Sequence, residues 1–177
     1  MNRRRFLVGA AVVPLLPLAL RRAIAGERKS SSKVEKIHKS EDEWRAELTE
    51  EEFNVLREEG TESPGSSPLN DEHRTGTFVC AGCALPLFKS EWKFESGTGW
   101  PSFYTAIKDH VGTKADYVLF LPRTEYHCAR CGGHQGHIFD DGPQPTGQRW
   151  CNNGVALNFI PAKRAYESAA YTRFRRN

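Results

Sequence analysis

The chain has 177 residues, 25 Lys plus Arg against 22 Asp plus Glu, and 38% hydrophobic residues, which suits one compact domain with its own core. Its first 25 residues hold five arginines and no acid, so the formal charge of +3 becomes −2 for residues 26–177. That negative balance lacks the electrostatic footprint of a nucleic-acid binder, and no nucleic-acid partner is expected.

Residues 1–25 read as a cleaved twin-arginine export signal. Arg3-Arg4-Arg5-Phe6-Leu7 carries the paired arginines, an uncharged stretch runs from Phe6 to Leu20, and Ala23-Ile24-Ala25 is a small-x-small cleavage site before Gly26. The stretch is shorter than the ~20 apolar residues that span a bilayer and contains Pro14 and Pro17, so no permanent membrane anchor is expected. The expected location is the periplasm and the expected state a monomer. Residues 26–39, rich in Lys and Ser without an apolar period, read as a flexible leader, and 40–177 as the domain.

Two capping boxes open the domain: Ser40 with Glu43, and Thr49 with Glu52, each pairing a hydroxyl with a carboxylate three residues on. The second predicted helix places Phe53 and Leu56 on one face and stops at Gly60. Thr61 to Arg74, dense in Ser, Pro, Gly and Asn, reads as a long loop. From Thr75 the pattern shortens to strands: Gly76–Cys80, Leu85–Phe88, Asp116–Leu121 ended by Pro122, Tyr126–Cys128, and Val155–Ile160 ended by Pro161. Short strands between Gly/Pro turns, without strand–helix–strand spacing, predict a mainly antiparallel β domain with peripheral helices.

The five cysteines divide unevenly. Cys80/Cys83 and Cys128/Cys131 form two CxxC pairs, and four thiolates satisfy one tetrahedral zinc. Such a site leaves the metal no open position, so the ion would be structural; two disulfides are the alternative. Metal loaded in the reducing cytosol would protect the thiols during export of a folded protein. Cys151 is left over, flanked by Arg149, Trp150 and Asn153. An ordinary thiol is only a few per cent ionised at pH 7, so a nearby cation such as Arg149 and a proton-transfer group are needed for reactivity. His134 and His137 are the candidates for that group. The segments around Ser96-Gly97-Thr98-Gly99-Trp100-Pro101-Ser102-Phe103 and His134 to Gly142 complete the constellation.

Taken together, these segments resemble the B-type peptide-methionine (R)-S-oxide reductases. The resemblance rests on both CxxC pairs, Ser-Gly-x-Gly-Trp-Pro-Ser-Phe, Gly-Gly-His-x-Gly-His-Ile-Phe-Asp-Asp-Gly-Pro and Arg-Trp-Cys-x-Asn, and covers about residues 40 to 162. It implies two antiparallel sheets with peripheral N-terminal helices and a structural zinc on Cys80, Cys83, Cys128 and Cys131. It implies Cys151 as nucleophile toward the sulfoxide sulfur, His137 as an aid to protonating the oxygen, and Asn153 as a further active-site residue. Trp100 would pack on the substrate's S-methyl group, with His134, Asp141 and Arg149 lining the pocket. The substrates implied are oxidised proteins or peptides. Many members carry a resolving cysteine where this chain has Thr98, so an external thiol or thioredoxin-like reductant is expected to reduce the Cys151 sulfenic acid directly. Two other classes fit the residue types: a zinc-ribbon-like binding module with Cys151 structural, and a cysteine hydrolase built on Cys151, His137 and Asn153.

Overall fold

The computed structural model describes residues 34–117 and 122–162; the segment read as an export signal, most of the expected leader and residues 163–177 lie outside them. The capping boxes initiate both helices. In α1 (Glu41–Glu47) the Glu43 amide donates to Ser40 Oγ at 3.3 Å and the Ser40 amide to Glu43 Oε2 at 2.7 Å. In α2 (Glu50–Glu58) Thr49 and Glu52 do the same at 3.2 and 2.9 Å. Both devices satisfy amides that a helix start leaves unpaired. The end of α2 differs in detail: Glu59, not the glycine, takes the left-handed conformation, and the Gly60 amide closes on the Asn54 carbonyl.

Among the described residues nine strands make two antiparallel sheets. The smaller has the order β2-β1-β9, from β1 (Gly76–Cys80), β2 (Pro86–Lys89) and β9 (Leu157–Pro161). The larger has the order β3-β4-β8-β7-β6-β5. Its strands are β3 (Lys93–Phe94), β4 (Ser102–Phe103), β5 (Val111–Asp116), β6 (Arg123–Cys128), β7 (His134–Phe139) and β8 (Arg149–Asn152). The mainly β fold with two antiparallel sheets and two short N-terminal helices is therefore as expected. Of the strand expected at Asp116–Leu121, only the first two residues are described, and they do not begin one. The described strand ends at Asp116, Tyr117 stands 75% exposed, and residues 118–121 lie outside the description. The last strand starts two residues late because residues Gly154–Ala156 form a 3₁₀ turn. Nor is the whole leader detached: in residues 34–39 the Ile37 amide donates to the Arg130 carbonyl, and Val34 and Ile37 pack on the core.

The core is aromatic and lies between the sheets. Phe88 stacks on Phe103 with centroids 4.1 Å apart, Phe78 meets Phe103 edge-on at 5.0 Å, and Tyr126 meets Trp150 edge-on at 5.0 Å. Offset and edge contacts of this kind add to what burial alone contributes. The helices cover one end of this core, with Trp44, Phe53, Val55 and Leu56 buried. Among the described residues no helix is long and apolar enough to cross a membrane.

Candidate active site

Each CxxC pair occupies a hairpin turn, one in each sheet. Cys80 and Cys83 join β1 to β2; Cys128 and Cys131 join β6 to β7. The two turns are built alike. Ala84 and Gly132 donate to the carbonyls of Cys80 and Cys128, and the amides of those cysteines donate to the carbonyls of Leu85 and Gly133. Both Ala84 and Gly132 sit at positive φ, 54° and 72°.

The turns bring the four sulfurs together, all within 4.8 Å of one another, with Cys80–Cys131 at 3.6 Å and Cys83–Cys128 at 3.4 Å. A zinc held at ~2.3 Å by four sulfurs has tetrahedral edges of about 3.8 Å, so the quartet fits such an ion and is too far apart for disulfides. All four cysteines are unpaired and buried.

Cys151 is elsewhere, on the larger sheet. Its register places it between Ser102 of β4 and His137 of β7. His137 pairs in turn with Glu125 of β6, and Glu125 with Lys114 of β5. Partners across an antiparallel ladder point to the same face, with Cβ atoms about 4.5–5.5 Å apart. One row therefore runs Ser102, Cys151, His137, Glu125, Lys114 across five strands. The opposite face of the same strands carries Phe103, Trp150, Ile138 and Tyr126, which belong to the core or pack against it. Polar row on one face, aromatic row on the other: that alternation turns the nucleophile away from the aromatic core.

His137 Nε2 lies 2.7 Å from Asp116 Oδ2, which also accepts from Arg123 Nη2 at 2.6 Å. His134 sits behind it, its side chain 2% exposed, with Nδ1 3.0 Å from Glu125 Oε1 and its ring edge-on to His137 at 5.5 Å. The Arg149 guanidinium is held by Asp141 through two bonds of 2.8 and 2.9 Å and lies over the Phe139 ring. Burial pushes the Cys151 thiol above its ordinary value; the charge of Arg149 and hydrogen bonds from Thr98 and Arg149 pull it down without reversing this. Burial depresses the His137 imidazole, against the pull of Asp116. At neutral pH the pair is thus a thiol beside a neutral imidazole, where Arg149 by itself argued for a thiolate.

The Gly-Trp-Pro bend joins this site, where the Pro101 carbonyl accepts from the Asn152 amide at 2.9 Å. The Trp100 Nε1–H donates to the Glu62 carbonyl at 3.2 Å. Asn153 turns elsewhere. Its Nδ2 donates to the Gln135 carbonyl at 3.1 Å and its Oδ1 accepts from the Glu62 amide at 3.1 Å. A Cys-His-Asn hydrolase needs that amide on the histidine; here the partner of His137 is Asp116. Asp116, Glu125 and Glu62 were not singled out from the sequence. The first two become visible only once β5 and β6 are in register with β7, whereas Glu62 lay in a stretch that reads as plain loop.

The chain matches the SelR domain over residues 48–161. It is 52% identical over 124 residues to a peptide methionine sulfoxide reductase MsrB of Methanosarcina barkeri, covering 70% of this chain and 87% of that protein. Against the Bradyrhizobium diazoefficiens protein of the same name the identity is 48% over 136 residues, 76% of this chain and 98% of that one. The Leptospira interrogans protein gives 48% over 124 residues, 70% and 95%. On this evidence the chain belongs to the SelR-domain family, that of the MsrB peptide methionine sulfoxide reductases.

Proposed function

We propose that this protein reduces the R epimer of methionine sulfoxide in proteins or peptides, with Cys151 as the atom that takes the oxygen. The observation that carries this reading is the ladder position of Cys151, directly across from His137 on the polar face of the sheet. The Cys151 sulfur attacks the sulfoxide sulfur as the oxygen is protonated, and the resulting hydroxyl then passes to the Cys151 sulfur as the transient S–S bond and the substrate's S–O bond both break. The products are methionine and a Cys151 sulfenic acid: the substrate sulfur gains two electrons and the cysteine sulfur loses two. Oxide is a poor leaving group, so the proton is obligatory.

The neutral forms at the site suit this proton balance. Cys151 arrives as a thiol and His137 as a base, so the proton that leaves sulfur is the one the oxygen needs. Asp116 engages Nε2, which leaves Nδ1 as the ring nitrogen for the transfer. His137 is favoured over His134 because it is the cross-strand neighbour of Cys151 and the less buried of the two. Trp100 supplies the apolar wall for the S-methyl group, a favourable thioether–aromatic contact. Arg149, held in place by Asp141, orients the oxygen. Asn153 acts by position, tying the end of β8 to β7 and to residue 62.

Regeneration uses an external thiol. The four other cysteines are committed to the buried cluster, and Thr98 stands where many relatives carry a resolving cysteine. Two equivalents of a thiol, or one dithiol of thioredoxin type, reduce the sulfenic acid to the thiol and release water. We take the cluster's ion to be zinc, on the softness and number of its ligands; when bound it supplies structure, with no open position for chemistry. The twin-arginine pattern supports periplasmic export, which replacement of Arg3 and Arg4 by lysine should block in cell fractionation.

The deciding experiment supplies separated R and S epimers of a blocked methionine sulfoxide with dithiothreitol. Turnover of the R epimer alone is expected; turnover confined to the S epimer overturns the assignment. Mass spectrometry after one turnover without reductant should show one added oxygen on Cys151, and an intramolecular disulfide would remove the external-thiol step.

A further inference from the structure

Glu62 ties the loop that reads as featureless in sequence to the segment that follows Cys151. Its carboxylate accepts from two successive amides, Gly154 at 2.6 Å and Val155 at 2.9 Å, at the start of the 3₁₀ turn that follows the Cys151 strand. Its own amide donates to Asn153 Oδ1 at 3.1 Å, and its carbonyl accepts from the Trp100 indole at 3.2 Å. One residue therefore bonds to the segment after the nucleophile through three contacts and to the aromatic wall through a fourth. The fit is close: a Cβ on Gly154 would collide with Ser67 Oγ and press on Glu62 Oε1.

We infer that Glu62 is a positioning residue for substrate recognition, setting the Trp100 indole against the Cys151 strand. The amide and carbonyl of one residue are joined through its Cα, with only φ and ψ free to turn between them. Whatever fixes the carboxylate on Gly154 and Val155 also fixes the carbonyl that orients the indole. Cys151 is held separately, by β4 on one side and β7 on the other. Loss of the Glu62 side chain should then loosen the wall while leaving the nucleophile in place. Charge-assisted bonds to backbone amides are the strong kind, and the conservative amide substitution places an NH₂ donor against a donor.

This inference rests on the assignment of Trp100 as the substrate's apolar wall. The test compares Glu62→Gln, Glu62→Asp and Glu62→Ala with the wild type in three measurements: steady-state kinetics on the R epimer, the iodoacetamide rate of Cys151, and ¹⁹F spectra with 5-fluorotryptophan incorporated. The Trp100 resonance is identified by Trp100→Phe. For Glu62→Gln we expect KM to rise about tenfold, as when one charge-assisted bond is given up, with kcat and alkylation within about twofold. The Trp100 resonance should shift or broaden while those of Trp44, Trp92 and Trp150 hold. Glu62→Ala should exceed this, and Glu62→Asp, one methylene short of both amides, should recover part of it.

Unchanged KM and an unchanged Trp100 resonance in a folded Glu62→Ala protein overturn the inference. So does a fall in kcat and alkylation that tracks a lowered Tm, which is the mark of a merely structural anchor. A wild type that turns over neither epimer sinks the functional assignment instead; the Trp100 resonance then still decides whether Glu62 orients the indole.

Discussion

Cys151 illustrates how burial can outweigh a neighbouring charge. The charge of Arg149 favours the anion, yet its guanidinium is held by Asp141, and desolvation leaves the thiol above its ordinary value. The sign of the pH dependence follows: a group biased toward its neutral acid form ionises late. Alkylation of Cys151 by iodoacetamide, corrected with a Cys151→Ser control, should climb through pH 7 to 9 without a plateau. Arg149→Met removes the one influence that favours the anion by charge, so it should move the inflection further up. At a fixed pH below the inflection it should slow alkylation by about tenfold, the lower range for an opposite charge in contact. A plateau by pH 8 in the wild type would show a resident thiolate and remove the thiol–imidazole pair. For His137→Asn, loss of positioned proton transfer should lower kcat by about 10²–10⁴-fold in steady-state assays. His134→Asn, farther from the sulfur, should cost stability before it costs kcat.

At the scale of elements, the site depends on how closely β7 and β8 approach. Gly136 faces Asn152 across that ladder, and a side chain there would run into the Cys151 carbonyl. Gly136→Ala should therefore force the two strands apart, and with them Cys151 from His137. Misplacement by about 1 Å can cost ~10²-fold in rate, so kcat should fall at least tenfold; overpacking should cost about 1–3 kcal/mol in a denaturant melt. Gly82→Ala is the control, since its added methyl meets Leu56 at an ordinary 3.5 Å. Equal effects from both would discount the ladder argument. The same pair of strands marks the limit of what was legible in sequence. Elements whose signal is local were read correctly: two capping boxes, and the two CxxC turns with the strands entering them. His134–Phe139 and Arg149–Asn152 were seen as chemistry but not as strands, because catalytic polar residues occupy one face where apolar alternation is sought. Val111–Asp116 was missed for a related reason, being a strand of small and charged residues whose outward side carries Lys114 and Asp116. Glu62 carries no local signal at all, since its four partners lie at residues 100 and 153–155.

At the scale of the molecule, the four cysteines join two sheets that have no strand in common. One turn belongs to β1 and β2 and the other to β6 and β7, so an ion in the quartet is a cross-link between layers as well as a turn stabiliser. The helices depend on it too. Leu56 and Trp44 pack over Gly82, Leu56 packs on Gly133, and Arg57 Nη1 donates to the Cys131 carbonyl at 2.9 Å. Structural zinc contributes an apparent ~10–16 kcal/mol at pH 7, comparable with or larger than the ~5–15 kcal/mol net stability of a whole domain. Stripping the metal should therefore do more than lower Tm by a few degrees. Mass spectrometry under native conditions should find one zinc per chain. Chelation, or Cys83→Ala, should abolish the near-ultraviolet circular dichroism of the aromatic layer between the sheets, where Phe88, Phe103, Tyr126 and Trp150 meet. Added zinc should restore the signal after chelation but not in the variant. If the metal-free protein keeps both its near-ultraviolet spectrum and its Tm, the aromatic core alone holds the layers together, and the ion is incidental to the fold.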